Sequence, residues 1–434
     1  MALPLPPLQS PRQRRRCSSI GLFVLCTALL RSQNPWTFIS ENLPSGSHPA
    51  ELTDDNRIAP DAIDESDDFA EPAPPFIAAH PLDRTVPEGM RTTFRVSLDR
   101  SDGTARFQWR RDGAMIPGAN AASYTIPSVG IADAGRYRCD VENDWGAETS
   151  EAATLTVISA AQASRFISFS VVTSVDTPRA ETAIDFAVGG AGTSGEKPIL
   201  VRGVGPSLAR FGVSNRNPAV SIELFSGAAK TGENDHWGGQ ASVVEATARV
   251  GAFPLIVGDS SDAAMLVNAA PAAHQTIKIS GHGGATGVVL AELYDATPVA
   301  AFRPQTPRLI NFSVLKTIAT GTSLNIGFVI AGQTSKTVLV RVVGPSLANW
   351  SAAGTMPDPM LTLLQDINPI ATNDNWGGAP GIRSAAAAVG ALALDPSSKD
   401  AALVINLARG SYAVQASDAG NRGGIALVEI YEVP

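Results

Sequence analysis

The sequence predicts an all-β protein assembled from antiparallel sandwich modules, and three observations predict it. Glycine (39) and proline (31) are abundant in the 434 residues, while charged residues make up only 17% against 44% hydrophobic, the balance of a turn-rich β-chain. Short segments of alternating apolar and polar residues recur between turn dipeptides such as Asp112-Gly113 and Pro117-Gly118. The C-terminal part also contains a long internal repeat. A chain of this length exceeds one ordinary core and suggests several domains. Its net charge of −8 argues against a general nucleic-acid surface, which needs clustered lysine and arginine.

Residues 1–30 read as a signal peptide. Arg12, Arg14, Arg15 and Arg16 precede the apolar run Ile20 to Leu30, which is too short to span a bilayer comfortably. An uncleaved anchor is the alternative, and the residues before Cys26 lack the small side chains of a lipidation site. Residues 31–74 form an acidic linker: from Glu51 to Glu71 there are nine acidic residues and one base, Arg57, too polar to offset the entropy of ordering.

From residue 75 to 158, Thr92 to Leu98, Ala105 to Arg110, Ser123 to Ile126, Gly135 to Glu142 and Ala152 to Ile158 read as strands. Trp109 lies in Phe-Gln-Trp, and Asp133-Ala134-Gly135-Arg136-Tyr137-Arg138-Cys139 follows thirty residues on. This set resembles the immunoglobulin-like I-set domain. The resemblance implies that Trp109 fills the space between two sheets and that Tyr137 makes a tyrosine corner. It also implies a second cysteine about thirteen residues before Trp109, where Val96 stands. Cys139 is then a buried thiol facing Val96. With Cys17 and Cys26 in the targeting segment, no disulfide framework is expected.

The repeat spans 164–297 and 308–434, with 298–307 as linker. Leu200 to Ala209 matches Leu339 to Ala348, both ending Gly-Pro-Ser-Leu-Ala. Asn234-Asp235-His236-Trp237-Gly238-Gly239 matches Asn373-Asp374-Asn375-Trp376-Gly377-Gly378, and Glu292-Leu293-Tyr294 matches Glu429-Ile430-Tyr431, at offsets of 137 to 139 throughout. Ala-rich stretches at Ala241 to Val250 and Gly381 to Val389 suggest one short helix per copy. The fold class is therefore an Ig-like sandwich followed by two homologous antiparallel β-sandwich modules. The pair is similar to tandem modules that follow Ig-like domains in secreted bacterial proteins, a likeness that implies context and no particular chemistry.

No constellation favours catalysis. Ser207 and Ser346 follow proline and lack the Gly-x-Ser-x-Gly elbow. His236 becomes Asn375 in the second copy, and no histidine pair has zinc-ligand spacing. Asn234, Asp235, Asn373 and Asp374 are the metal candidates, because their oxygens suit calcium and the following glycines allow a tight path around an ion; no other cofactor is expected. The competing reading has these residues capping backbone groups while Trp237 and Trp376 plug the sandwich. Alternation puts Glu292 and Glu429 on a face with apolar residues, where a buried carboxylate needs a partner. Arg202 with Glu292 and Arg341 with Glu429 are the expected pairs, with Asp262 and Asp400 as rival partners.

The function these features point to is non-catalytic binding or scaffolding, in adhesion, display or assembly, secreted or at the cell surface. The partner is a protein or glycan outside the cytoplasm, with no nucleic acid and no membrane span beyond the N-terminal segment. The alternatives are a carbohydrate-recognition module, which requires exposed aromatics, and, less favoured, a hydrolase, which requires convergent carboxylates.

Overall fold

In a computed structural model, the described residues are 73–434 apart from 101–103, 258–259, 272–273 and 351. The expected signal peptide and nearly all of the acidic linker lie outside them. Among the described residues two compact units are present, one ending at Val157 and one comprising Ile158 to Pro434 together with Pro87–Met90. Both are built of strands.

The first unit has ten strands: β1 (Phe76–Ala79), β2 (Arg84–Pro87), β3 (Thr92–Arg95), β4 (Ser97–Arg100), β5 (Arg106–Arg111), β6 (Ala114–Met115), β7 (Ser123–Ile126), β8 (Gly135–Asn143), β9 (Gly146–Thr149) and β10 (Ala153–Ile158). One sheet has the order β2-β10-β8-β5-β6, with β9 on the edge of β8; β1 pairs with β4, and β3 with β7. The strand expected over Thr92 to Leu98 is broken at Val96. There the N–H still bonds in line with β7, to Ala122 O at 3.0 Å, and from Ser97 onward the chain takes β1 as its new partner. Alternation survives the break: Phe94 and Val96 both enter the core, alongside Trp109, Tyr137 and Cys139.

In the second unit, the first copy supplies β11 (Arg165–Val175), β12 (Glu181–Gly189), β13 (Lys197–Val204), β14 (Val220–Ser226), β15 (Ala229–Asn234), β16 (Ala263–Ala269), β17 (Gln275–Gly281) and β18 (Gly287–Asp295). The second copy supplies β19 (Arg308–Ile318), β20 (Leu324–Ala331), β21 (Lys336–Val343), β22 (Pro359–Gln365), β23 (Asn368–Asn373), β24 (Ala401–Leu407), β25 (Gly410–Asp418) and β26 (Gly424–Glu432). Among the described residues each copy has one α-helix, Ala241–Arg249 and Pro380–Ala388, which contacts β13 and β16 or β21 and β24.

The copies are joined by reciprocal strand exchange. β11 pairs antiparallel with its own β18 on one edge and with β20 of the other copy on the opposite edge. β19 pairs with its own β26 and with β12 of the first copy. Two eight-stranded arrays result, β15-β14-β17-β12-β19-β26-β21-β24 and β23-β22-β25-β20-β11-β18-β13-β16, which touch at the single pair Phe166↔Leu309. Each array takes four strands from each copy. A pseudo-two-fold axis passes between β11 and β19, where the Phe169 and Phe312 rings stack 4.7 Å apart at 2°. Residues of both copies share one core, and residues 298–307 lie inside this unit. A copy standing alone would leave the long edges of β11 and β12 unpaired, the kind of edge that natural sheets cover.

Candidate functional sites

In the second unit the ionisable side chains at matching positions of the two copies form buried sets. Arg202 on β13 lies opposite Glu292 on β18, and Arg341 on β21 opposite Glu429 on β26. Arg202 Nε is 3.1 Å from Glu292 Oε2, with the arginine fully buried. Arg341 donates from both Nε, at 2.8 Å, and a terminal nitrogen to Glu429 Oε2. Each carboxylate also accepts a tyrosine hydroxyl, Tyr294 at 2.7 Å and Tyr431 at 2.6 Å. Each arginine gives its other terminal nitrogen to a loop carbonyl, Phe253 O at 2.8 Å or Leu392 O at 2.5 Å. Burial, then the adjacent Glu429 charge, pushes the Tyr431 hydroxyl far above its ordinary pKa. Each carboxylate is thus engaged by both a guanidinium and a phenol.

Asp262 and Asp400 bond elsewhere. Asp262 accepts the N–H of Gly205 at 2.8 Å, the N–H of Ser207 at 3.2 Å, and the hydroxyls of Ser207 and Ser260 at 2.5 Å. Asp400 does the same for Gly344 N at 2.7 Å, the Ser346 hydroxyl, and Ser398 Oγ at 2.6 Å. The Gly-Pro-Ser blocks are thus turns clamped on a buried carboxylate. Glycine is required in them by close approach, since a Cβ on Gly205 or Gly344 would fall 2.3 Å from Asn217 O or 2.2 Å from Met356 O. Sequence reasoning offered these aspartates only as rivals for the arginines. Their recurrence before Ala-Ala in both copies was the available signal.

The Asn-Asp-x-Trp-Gly-Gly loops fold back on the sheet. Asn234 Oδ1 accepts the Ala264 N–H at 2.9 Å and Asn373 Oδ1 the Ala402 N–H at 2.9 Å. Both amide nitrogens donate within the loop, to His236 O and Asn375 O at 3.1 Å. Trp237 and Trp376 are 3% and 4% exposed, their ring N–H groups bonded to Ile256 O at 3.0 Å and Asp395 O at 2.9 Å. Buried rings do not offer a sugar platform. Asp235 Oδ2 lies 2.9 Å from His282 Nδ1. Among the described residues no group of three or more His, Cys, Asp or Glu side chains is arranged to hold a metal ion.

A further repeated set escaped the sequence reading. Lys197 Nζ is 2.8 Å from Asp295 Oδ1 with Arg165 nearby, and Arg308 and Lys336 meet Glu432 at 2.8 and 2.9 Å. Burial lowers the pKa of Lys197 and of Arg165, opposed by the Asp295 charge. The Arg165 guanidinium lies 3.8 Å over the Phe302 ring, a stacking geometry suited to arginine.

In the first unit, Trp109 is fully buried and donates its ring N–H to Ala121 O at 2.9 Å. The Tyr137 hydroxyl donates to Asp133 O at 2.7 Å, and the Tyr137 ring stacks on Phe94 at 4.6 Å. Cys139 is a free, buried thiol, its pKa pushed up by burial to about 11. It shares the core with Val96.

Sandwich, tyrosine corner and central tryptophan together define residues 74–157 as an Ig-like domain within an all-β chain, and the immunoglobulin domain family model matches those residues. Among curated proteins, the decoration protein of Escherichia phage T5 is 36% identical over 74 residues, 17% of this chain and 45% of that protein. The chain thus spans less than half the length of that relative. Similar solved structures include the tandem Ig repeats of Dlar, 24% identical over 20% of this chain and 50% of that one with a TM-score of 0.19. I81 from titin is 15% identical over 20% of this chain and 98% of that one, with a TM-score of 0.17.

Proposed function

We propose that the chain is a non-catalytic binding and scaffold protein that acts outside the cytoplasm. In this reading the Ig-like domain makes the contacts and the intertwined pair serves as a rigid base. The observation that carries it is the reciprocal strand exchange, which holds buried charges and loop asparagines in structural hydrogen bonds. That arrangement suits mechanical continuity better than turnover. The resemblance of part of the chain to a phage decoration protein is in keeping with display or assembly on a surface.

The test is thermal unfolding of the full chain with millimolar calcium and with chelator, combined with an assay against generic ester and glycoside substrates. Unchanged melting and silent substrates are the expected result. A calcium-dependent rise in Tm that disappears in Asp235→Ala and Asp374→Ala would return the loops to ion binding. Turnover would overturn the non-catalytic reading.

A further inference from the structure

Among the side chains described, exposed large aromatic residues number two, Phe76 at 57% and Trp145 at 45%. Both lie at the same end of the Ig-like domain. Trp145 sits at the tip of the β8–β9 hairpin. Phe76 opens β1 and pairs with Arg100 at the end of β4. The two strands are tied side by side: Pro74 packs where a Cβ on Gly146 would stand, 3.0 Å away, and the Ile77 N–H bonds to Glu148 Oε2 at 2.6 Å. The domain's C-terminal strand runs towards the other end, where Leu155 pairs with Gly135.

The tryptophan is held out on a fixed backbone. Asn143, only 3% exposed, accepts the N–H of Trp145 and of Gly146 at 3.0 Å and donates to Ala73 O at 2.9 Å. A large exposed ring on an ordered turn loses little conformational entropy when it docks, which is the property of interface anchors. Charge at this end is unbalanced. Asp99, Glu142, Asp144 and Glu148 lie at this end, and among the described side chains Arg106 is shared between Asp144 at 3.2 Å and Glu142 at 3.4 Å. The carboxylates disfavour nucleic acid and anionic lipid alike.

Resting on the binding role argued above, we infer that Trp145 and Phe76 are the docking anchors of this domain. Their partner is a protein surface that offers an apolar pocket rimmed by lysine or arginine. The acidic rim steers the encounter and the rings supply the buried contact.

The experiment selects binders to the full chain from a yeast-displayed library of randomised three-helix domains, with a glycan array run in parallel. Independent clones enriched in basic residues around an apolar centre are expected. They should lose at least about 30-fold in affinity for Trp145→Ala and Phe76→Ala, keep their affinity for Ile131→Ala at the other end, and weaken as salt is raised. Thermal melts of the variants check that the domain stays folded. Clones indifferent to Trp145→Ala would overturn the anchor while leaving a binding role elsewhere on the chain. Glycan binding lost in Trp145→Ala, without protein binders, would overturn the partner class. Silence of both probes would overturn the anchor and the binding role together.

Discussion

The two copies of the repeat share a skeleton and differ on their open faces. In the first copy one cross-strand row is charged: Lys278 pairs with Glu181 at 2.9 Å, and Lys230 joins Glu223, at 2.6 Å, to Glu233. Register places Gln415, Ser323, Thr362, Pro369 and Thr372 at the corresponding positions of the second copy. There Gln415 Nε2 donates to Asn325 Oδ1 at 3.2 Å and to Ser323 Oγ at 3.4 Å. Most of what did not change between copies is buried, namely the arginine–glutamate pair, the aspartate under the Gly-Pro-Ser turn and the tryptophan, while the lock asparagines are half-buried. The charged cross-strand row, by contrast, is half-buried to exposed and differs between the copies.

Breaking the exchange that joins the copies should have the largest effect. Val171→Pro in β11 or Val314→Pro in β19 removes a ladder hydrogen bond from a strand paired on both edges. Either change should unfold both copies together. Calorimetry of the unaltered chain should give one transition for residues 158–434, apart from that of the Ig-like domain. Two separate transitions for the copies would show that the exchanged strands do not couple them.

Next in size is the buried ion pair. Arg341→Met strands Glu429 in the core and should cost about 3–5 kcal/mol in urea unfolding. Arg202→Met should cost less, because Arg202 and Glu292 meet as an ion pair without well-formed hydrogen bonds from Nε. Equal losses would mean that this difference between the copies has no energetic weight.

Asp262→Asn and Asp400→Asn should each lose about 1–3 kcal/mol, since the amide cannot accept all of the donors that converge on the carboxylate. Here the copies should agree, and denaturant midpoints measured side by side would decide it. The smallest effect belongs to the divergent row. Lys278→Gln, which imitates the second copy, should leave the melting temperature nearly unchanged and reduce its dependence on salt. A substantial loss of stability would show that the charged row has a structural role after all.

The Ig-like core was legible because each of its landmarks has its own chemistry: a tryptophan, a tyrosine two residues before a cysteine, and turn dipeptides at fixed spacing. The internal repeat and the two short helices were legible for a similar reason, since identity at constant offset needs no knowledge of pairing. The strand exchange was not legible. An offset of 139 residues states that Arg202 and Arg341 are equivalent, but not whether β12 meets β11 or β19, because the two edges are themselves equivalent in sequence. The roles of Asp262 and Asp400 were hidden likewise: half of their donors are backbone N–H groups, which leave no trace in residue identity. Phe76 and Trp145 were passed over because burial, not pattern, distinguishes them from core aromatics.

The pseudo-two-fold has a consequence for how such a chain can grow. β11 and β19 each complete the array begun by the other copy, so the second unit is a dimer whose subunits happen to be covalently linked. A third copy added in line would find no open β11 or β12 edge to complete, and would carry two unsatisfied edges of its own. Chains built from this element should lengthen in even numbers, one closed pair at a time.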